Sequence, residues 1–116
     1  MRVLVVDDDI LIRRYFQRSL RHYAEVHVAN GVVEALSMLR AMRFDVLITD
    51  EHMPDGSGRA LLSKACTIQV RCRRVLISAA ELAPSADDAC ERFFPKVGGL
   101  PQVVAWVRTA AAAPSP

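Results

Sequence analysis

The chain has 116 residues, 52% of them hydrophobic, and a formal net charge of +2 at pH 7. This length fits one domain with a sizeable core, and the charge is too small to indicate nucleic-acid binding by itself. No apolar run reaches membrane-spanning length and no signal-peptide layout is present, so we expect a cytoplasmic protein without a membrane segment. The three cysteines form neither an even disulfide set nor a closely spaced metal pair, and we expect them to be reduced.

Strand-like and helix-like runs alternate along the chain, which predicts a parallel sheet with helices on both faces. Five strands are predicted, at residues 2–7, 25–29, 45–50, 75–78 and 92–94. An amphipathic helix with an arginine-rich face follows the first strand, and a second helix occupies residues 32–39. Ser57 can cap a third helix that runs to about Cys66, and Leu100-Pro101 opens the last helix.

Two of the predicted strands end in acidic residues. Asp7, Asp8 and Asp9 follow the first strand, and Asp50-Glu51 closes the third. Open α/β folds place their ligand sites at the carboxyl ends of the strands, so these acids are expected near one edge of the sheet. Carboxylates crowded there repel one another unless a cation or a proton neutralises them. Because all the candidate ligands are oxygen atoms, Mg²⁺ or Mn²⁺ is favoured over zinc.

Four motifs at successive strand ends carry a family resemblance. They are Val5-Val6-Asp7-Asp8-Asp9, Asp45 to Asp50 with Met53 to Gly58, Val75-Leu76-Ile77-Ser78-Ala79, and Phe93-Phe94-Pro95-Lys96. Each alone is weak, but four in the right order are highly specific. The chain resembles the receiver domain of bacterial response regulators over residues 1–113, with 114–116 as a tail or the start of a linker. The resemblance implies a doubly wound, flavodoxin-like α/β fold with a five-stranded parallel sheet in the order 2-1-3-4-5.

The resemblance also implies how the acidic residues act. Asp50 would be the phosphoacceptor, since a carboxylate can attack phosphorus and form an acyl phosphate. Asp7, Asp8 and Asp50, together with the backbone carbonyl of His52, would hold Mg²⁺, which offsets charge repulsion and positions the attack. Asp9 is better interpreted as a solvated or helix-capping acid, because negative charge is favourable at the start of the following helix.

Three further residues receive roles from the same resemblance. Lys96 would supply a cation to a phosphoryl oxygen, and Ser78 would donate its hydroxyl to the phosphoryl group. Ser78 and Phe93 would form the switch that responds to phosphorylation, although simple core packing explains Phe93 equally well. The side chain of His52 is expected at the rim of the pocket, without a chemical role.

The sequence departs from the family pattern in three places. Val97 follows Lys96 where the family usually has proline. The stretch between Ser78 and Lys96 is short, so we predict a shortened fourth helix and an irregular segment at residues 80–91. Ala80 offers no polar group to guide an attacking water, which predicts slow loss of the phosphoryl group.

The expected function is that of a signalling domain which catalyses only its own phosphorylation and dephosphorylation. Its partners would be a histidine kinase or phosphotransfer protein, an output domain or partner protein, and a second copy of the chain in a homodimer. The main alternative is a pseudo-receiver that binds proteins without phosphorylation. An aspartate-nucleophile phosphatase is disfavoured because Leu11 breaks its motif. Direct DNA binding through the arginine-rich helix is disfavoured because that helix flanks the expected phosphoryl site.

Overall fold

The computed structural model describes residues 1–79 and 89–112, and its centre is a five-stranded parallel sheet. The strands are β1 Arg2–Val6, β2 Glu25–Ala29, β3 Val46–Asp50, β4 Arg73–Ser78 and β5 Arg92–Pro95. Their spatial order is β2-β1-β3-β4-β5, and each neighbouring pair is parallel. The predicted fold class and strand order are therefore confirmed.

Four helices connect or follow the strands in the described part of the chain: α1 Ile10–Leu20, α2 Val32–Ala41, α3 Gly58–Ile68 and α4 Lys96–Ala112. A small antiparallel hairpin, His52–Met53 with Gly56–Ser57, lies between β3 and α3. None of these helices is long and apolar enough to cross a bilayer.

The start of α4 contains a kink. Although the element spans Lys96–Ala112, Val97 and Gly98 have non-helical dihedral angles, so regular helical geometry begins only after them, close to the predicted start at Leu100-Pro101. Gly98 has φ 78° and ψ −4°, a left-handed conformation that glycine adopts without steric cost. The chain can therefore bend between Lys96 and the regular part of the helix.

Part of the prediction for residues 80–91 lies outside the described residues. The shortened fourth helix and Ala80 fall within residues 80–88, and the predicted tail falls within residues 113–116. The described remainder, Ala89 to Glu91, belongs to neither a helix nor a strand. The predictions for the rest of this segment stay predictions.

The core lies on both faces of the sheet, because successive strand residues point to opposite sides. Val3 and Val5 of β1 are buried on the face covered by α1 and α4, whereas Leu4 and Val6 are buried on the face covered by α2 and α3. On the first face the helices contribute fully buried apolar side chains, namely Phe16, Leu20, Val103 and Val107. This two-sided burial holds the strands rigidly enough to fix the positions of their carboxyl ends.

The loop after β3 is attached to the start of α2. Residue Gly31 precedes α2 and has no side chain to cap it, so the first backbone N–H groups need an acceptor from elsewhere. The carboxylate of Asp55 supplies it, accepting from Val32 N at 2.9 Å and Val33 N at 3.0 Å. The hydrogen bonds from Val33 and Val32 lower the pKa of Asp55. The turn predicted at Met53 to Gly56 thus also caps a helix distant in sequence.

Asp55→Ala should destabilise the fold, because the first N–H groups of α2 lose their acceptor. Asp55→Asn keeps one acceptor oxygen and should lose less. Since folding lowers the pKa of Asp55, the contribution of the carboxylate is present above its unfolded pKa and is lost as the pH falls through the folded pKa. Urea unfolding at neutral and acidic pH measures both effects. Equal stability of wild type and Asp55→Ala at neutral pH would contradict the capping role.

Candidate functional site

The acidic residues lie at the point where the strand order of the sheet reverses, between β1 and β3. Strand β1 lies between β2 and β3, so the connections leave β1 and β3 toward opposite edges and open a crevice at their carboxyl ends. Asp7 directly follows β1, and Asp50 is the last residue of β3. One ligand atom from each of Asp7, Asp8 and Asp50 can be chosen so that all lie within 4.8 Å of one another. The structure therefore brings together the three side chains predicted to hold a metal.

Asp7 is the most buried member of this acidic cluster. Its side chain is inaccessible to solvent, and Oδ1 accepts a hydrogen bond from Asp9 N at 2.8 Å. Oδ2 is also buried, and it accepts no hydrogen bond from the described part of the protein. Burial raises the pKa of Asp7, and the nearby charge of Asp50 acts in the same direction, while the Asp9 N–H and Lys96 oppose them. A buried carboxylate oxygen needs a cation or a donor beside it, and the ammonium group of Lys96 lies 3.2 Å from Oδ2.

Lys96 supplies one positive charge to this cluster. Its Nζ lies 3.2 Å from Asp7 Oδ2 and 3.4 Å from Asp50 Oδ2. Burial alone would lower the pKa of Lys96, but the charges of Asp7 and Asp50 outweigh it and raise the pKa above the usual lysine value. Lys96 therefore stays protonated. Although Val97 replaces the expected proline, the lysine reaches both carboxylates.

The donor set fits the predicted cation. All three acids offer carboxylate oxygens, which suits Mg²⁺ or Mn²⁺ better than zinc. Asp8 is exposed, so a cation held beside it could keep water ligands, as Mg²⁺ usually does. His52 begins the small hairpin and its side chain is exposed, as expected for a residue at the rim. The role of its backbone carbonyl stays a prediction.

Asp9 has the structural role that the sequence predicted. It precedes α1 in an extended conformation, and its Oδ1 accepts a hydrogen bond from Leu11 N at 2.8 Å. This is the geometry of a helix N-cap. Asp9 thus differs from its two acidic neighbours in function although it is adjacent to them in sequence.

The two predicted switch residues lie on neighbouring strands. Ser78 ends β4, is fully buried and donates its hydroxyl to Glu51 Oε2. Phe93 pairs in register with Leu76 and is partly buried against the core beneath α2 and α3. This position of Phe93 agrees with core packing, and its switching role stays a prediction.

Sequence reasoning missed two arginines and the role of one acid. Arg13 on α1 donates from Nη1 to the backbone carbonyl of Asp7 at 2.7 Å. Arg59 on α3 forms an ion pair with Glu51 Oε1 at 2.6 Å. Glu51 was grouped with the acidic cluster, but its oxygens bind Ser78 and Arg59. No local sequence signal could have found the Glu51–Ser78 contact, because it results from the parallel pairing of Asp50 with Ile77, which brings the next residues of the two strands together.

Comparisons with known proteins agree with this fold and site. The model of the response regulator receiver domain family matches residues 3–92. Response regulator MprA of Mycobacterium avium (strain 104) is 33% identical over 113 residues, covering 93% of this chain and 50% of that protein. The chain thus spans about half the length of this curated relative. It belongs to the response regulator receiver domain family and is a signalling domain of the two-component type.

Solved structures share the fold. The receiver domain of hybrid histidine kinase CckA is 28% identical, with a TM-score of 0.79 and coverage of 96% of this chain and 99% of that one. Response regulator protein TrrA from Thermotoga maritima, solved in complex with Mg(2+)-BeF, is 24% identical with a TM-score of 0.83. This match covers 93% of the present chain and 96% of TrrA.

Asp8→Asn should weaken Mg²⁺ binding by at least about tenfold. Mutating a residue that only hydrogen-bonds a metal ligand already costs about that much affinity, and losing a charged ligand should cost no less. Folding should change little because Asp8 is exposed. Asp9→Ser is the matched control, because it removes a neighbouring acid while serine can still cap α1. Calorimetric titration with Mg²⁺ measures both variants. Equal affinity of wild type and Asp8→Asn would exclude Asp8 as a ligand.

Lys96→Met should lower the stability of the metal-free protein by about 1–3 kcal/mol, because two buried carboxylates lose their compensating charge. Adding Mg²⁺ should restore more stability to this variant than to wild type, since the metal replaces the missing positive charge. Thermal unfolding with and without Mg²⁺ tests this expectation. A Mg²⁺-induced shift smaller in Lys96→Met than in wild type would contradict it.

Proposed function

We propose that the chain is a Mg²⁺-dependent phosphoacceptor in which Asp50 receives a phosphoryl group from a histidine kinase or a phosphotransfer protein. The observation that carries the proposal is the position of Lys96, whose Nζ lies 3.2 Å from Asp7 Oδ2 and 3.4 Å from Asp50 Oδ2. The Lys96 ammonium group contacts both Asp7 and Asp50, so it is close enough to bind a phosphoryl group attached to Asp50. Membership of the receiver family supports the same role.

The proposed reaction is a transfer between two nucleophiles. A carboxylate oxygen of Asp50 attacks phosphorus, the new O–P bond forms, and the N–P bond of the phosphohistidine breaks. The imidazole leaves with the electron pair of that bond. Asp50 is mostly buried but 7% exposed, so the attacking oxygen can be reached from the edge of the sheet.

The surrounding residues stabilise the charge on the transferred group. Asp7, Asp8 and Asp50, with the His52 carbonyl, would hold the Mg²⁺ ion, which supplies charge neutralisation at the phosphoryl oxygens. Lys96 would bind one phosphoryl oxygen and Ser78 another through its hydroxyl. The known fold of TrrA with Mg(2+)-BeF makes beryllofluoride a suitable probe of this arrangement.

The proposal extends to the role of the whole protein. We propose that residues 1–113 form the receiver, with residues 114–116 as a tail or the start of a linker, and the family match over residues 3–92 supports the receiver part. Phosphorylation would alter binding to an output domain or a partner protein, including a second copy of the chain. Direct nucleic-acid binding by this domain is not part of the proposal. The cytoplasmic location expected from the sequence stays a prediction.

Incubation with acetyl phosphate and Mg²⁺ should add one phosphoryl group to the wild-type protein, and Asp50→Asn should abolish the addition because the nucleophile is lost. Intact-protein mass spectrometry measures both. Glu34→Gln, which removes an exposed acid from the first turn of α2 outside the acidic cluster of Asp7, Asp8 and Asp50, is the control and should be modified like wild type.

The same measurement separates the proposed function from the alternative. A pseudo-receiver would remain unmodified in acetyl phosphate at any Mg²⁺ concentration. Modification of Asp50→Asn at the wild-type rate would instead assign the phosphoacceptor to another residue.

A further inference from the structure

An acidic side chain lies beside the switch hydroxyl at the edge of the sheet. Strands β3 and β4 are parallel, and Asp50 is in register with Ile77. The next residue on each strand continues the contact, so Ser78 donates its hydroxyl to Glu51 Oε2. Both side chains are secluded from water, with Ser78 fully buried and Glu51 8% exposed.

Glu51 is fixed in place by contacts other than the serine. Its second carboxylate oxygen, Oε1, forms an ion pair with Arg59 Nε at 2.6 Å, on the first turn of α3. Its backbone carbonyl accepts from Gly58 N at 2.7 Å. Gly58 must lack a side chain, since a Cβ there would lie 1.9 Å from the carbonyl oxygen of Asp50. The start of α3 therefore presses against the end of β3 and leaves Glu51 little freedom to move.

A serine hydroxyl has one proton and can donate it to one acceptor at a time. In the phosphoacceptor function proposed above, on which this inference rests, Ser78 gives that proton to the phosphoryl group on Asp50. We propose that Glu51, held by Arg59, competes with the phosphoryl group for the Ser78 hydroxyl and so sets how strongly phosphorylation drives the switch. Glu51 is a positioning residue that acts through Ser78.

The relative strength of the Ser78–Glu51 and Ser78–phosphoryl hydrogen bonds decides the outcome of this competition. A hydrogen bond to an ionised carboxylate is stronger than one between neutral groups, and breaking it in a buried position costs binding free energy. The hydrogen bond between Ser78 and the phosphoryl group must therefore offset the free energy lost when the Ser78–Glu51 hydrogen bond breaks. The population of the switched state therefore depends on the difference between the two hydrogen bonds.

A double-mutant cycle on beryllofluoride binding in the presence of Mg²⁺ tests the proposal. Glu51→Leu should tighten binding by about tenfold, because Ser78 no longer has to leave a charged acceptor. Glu51→Gln retains an uncharged acceptor of similar shape and should have a smaller effect, and it also serves if Glu51→Leu folds poorly. In the Ser78→Ala background, neither substitution at Glu51 should change the affinity by more than about twofold.

The cycle also excludes a purely electrostatic effect of removing an acid near Asp50. Such an effect would tighten anion binding equally in the presence and absence of the Ser78 hydroxyl, and that result would overturn the proposal. Glu34→Gln, which removes an equal charge from the exposed face of α2, should bind like wild type. Failure of beryllofluoride to bind wild type would refute the phosphoacceptor function itself and this inference with it. Binding with equal effects in both backgrounds would refute only the competition.

Discussion

Charge compensation among buried groups is the interaction on which the site depends. Asp7 has no exposed surface and Asp50 very little, so neither carboxylate can rely on water to stabilise its charge. Lys96, which directly follows the edge strand β5, brings one positive charge to both carboxylates. One lysine beside three clustered acids, Asp7, Asp8 and Asp50, leaves negative charge uncompensated. The site is thus prepared for a further cation.

The elements around the site restrain the end of β3 from two directions. Asp55, in the loop after β3, caps α2, and Gly58, at the start of α3, donates its backbone N–H to the carbonyl of Glu51. Both contacts use the unsatisfied N–H groups of a helix start. They connect the end of β3 to the two helices that cover one face of the sheet. A displacement at the end of β3 therefore has a direct structural route to α2 and α3.

The acids of this chain divide into roles according to their surroundings and not according to their residue type. Asp9 and Asp55 accept hydrogen bonds from backbone N–H groups at helix starts. Asp7 and Asp50 face Lys96 at the edge of the sheet. Glu51 directly follows Asp50, yet its pKa is lowered by the Ser78 hydroxyl, with Arg59 adding to the effect against burial. The proposed phosphoacceptor and a hydrogen-bond acceptor are therefore adjacent carboxylates.

The sequence by itself determined the strands, the helix caps at Asp9 and Ser57, and the acids that end β1 and β3, because periodicity and capping depend on neighbours along the chain. Its four motifs also led to the family and hence to the strand order. The tertiary structure alone decided that Glu51 accepts from Ser78 and that Arg59 anchors it. These features depend on the register between parallel strands and on the approach of a helix to a strand end. Local sequence patterns do not encode such distances, since the residues concerned meet only after the sheet has formed.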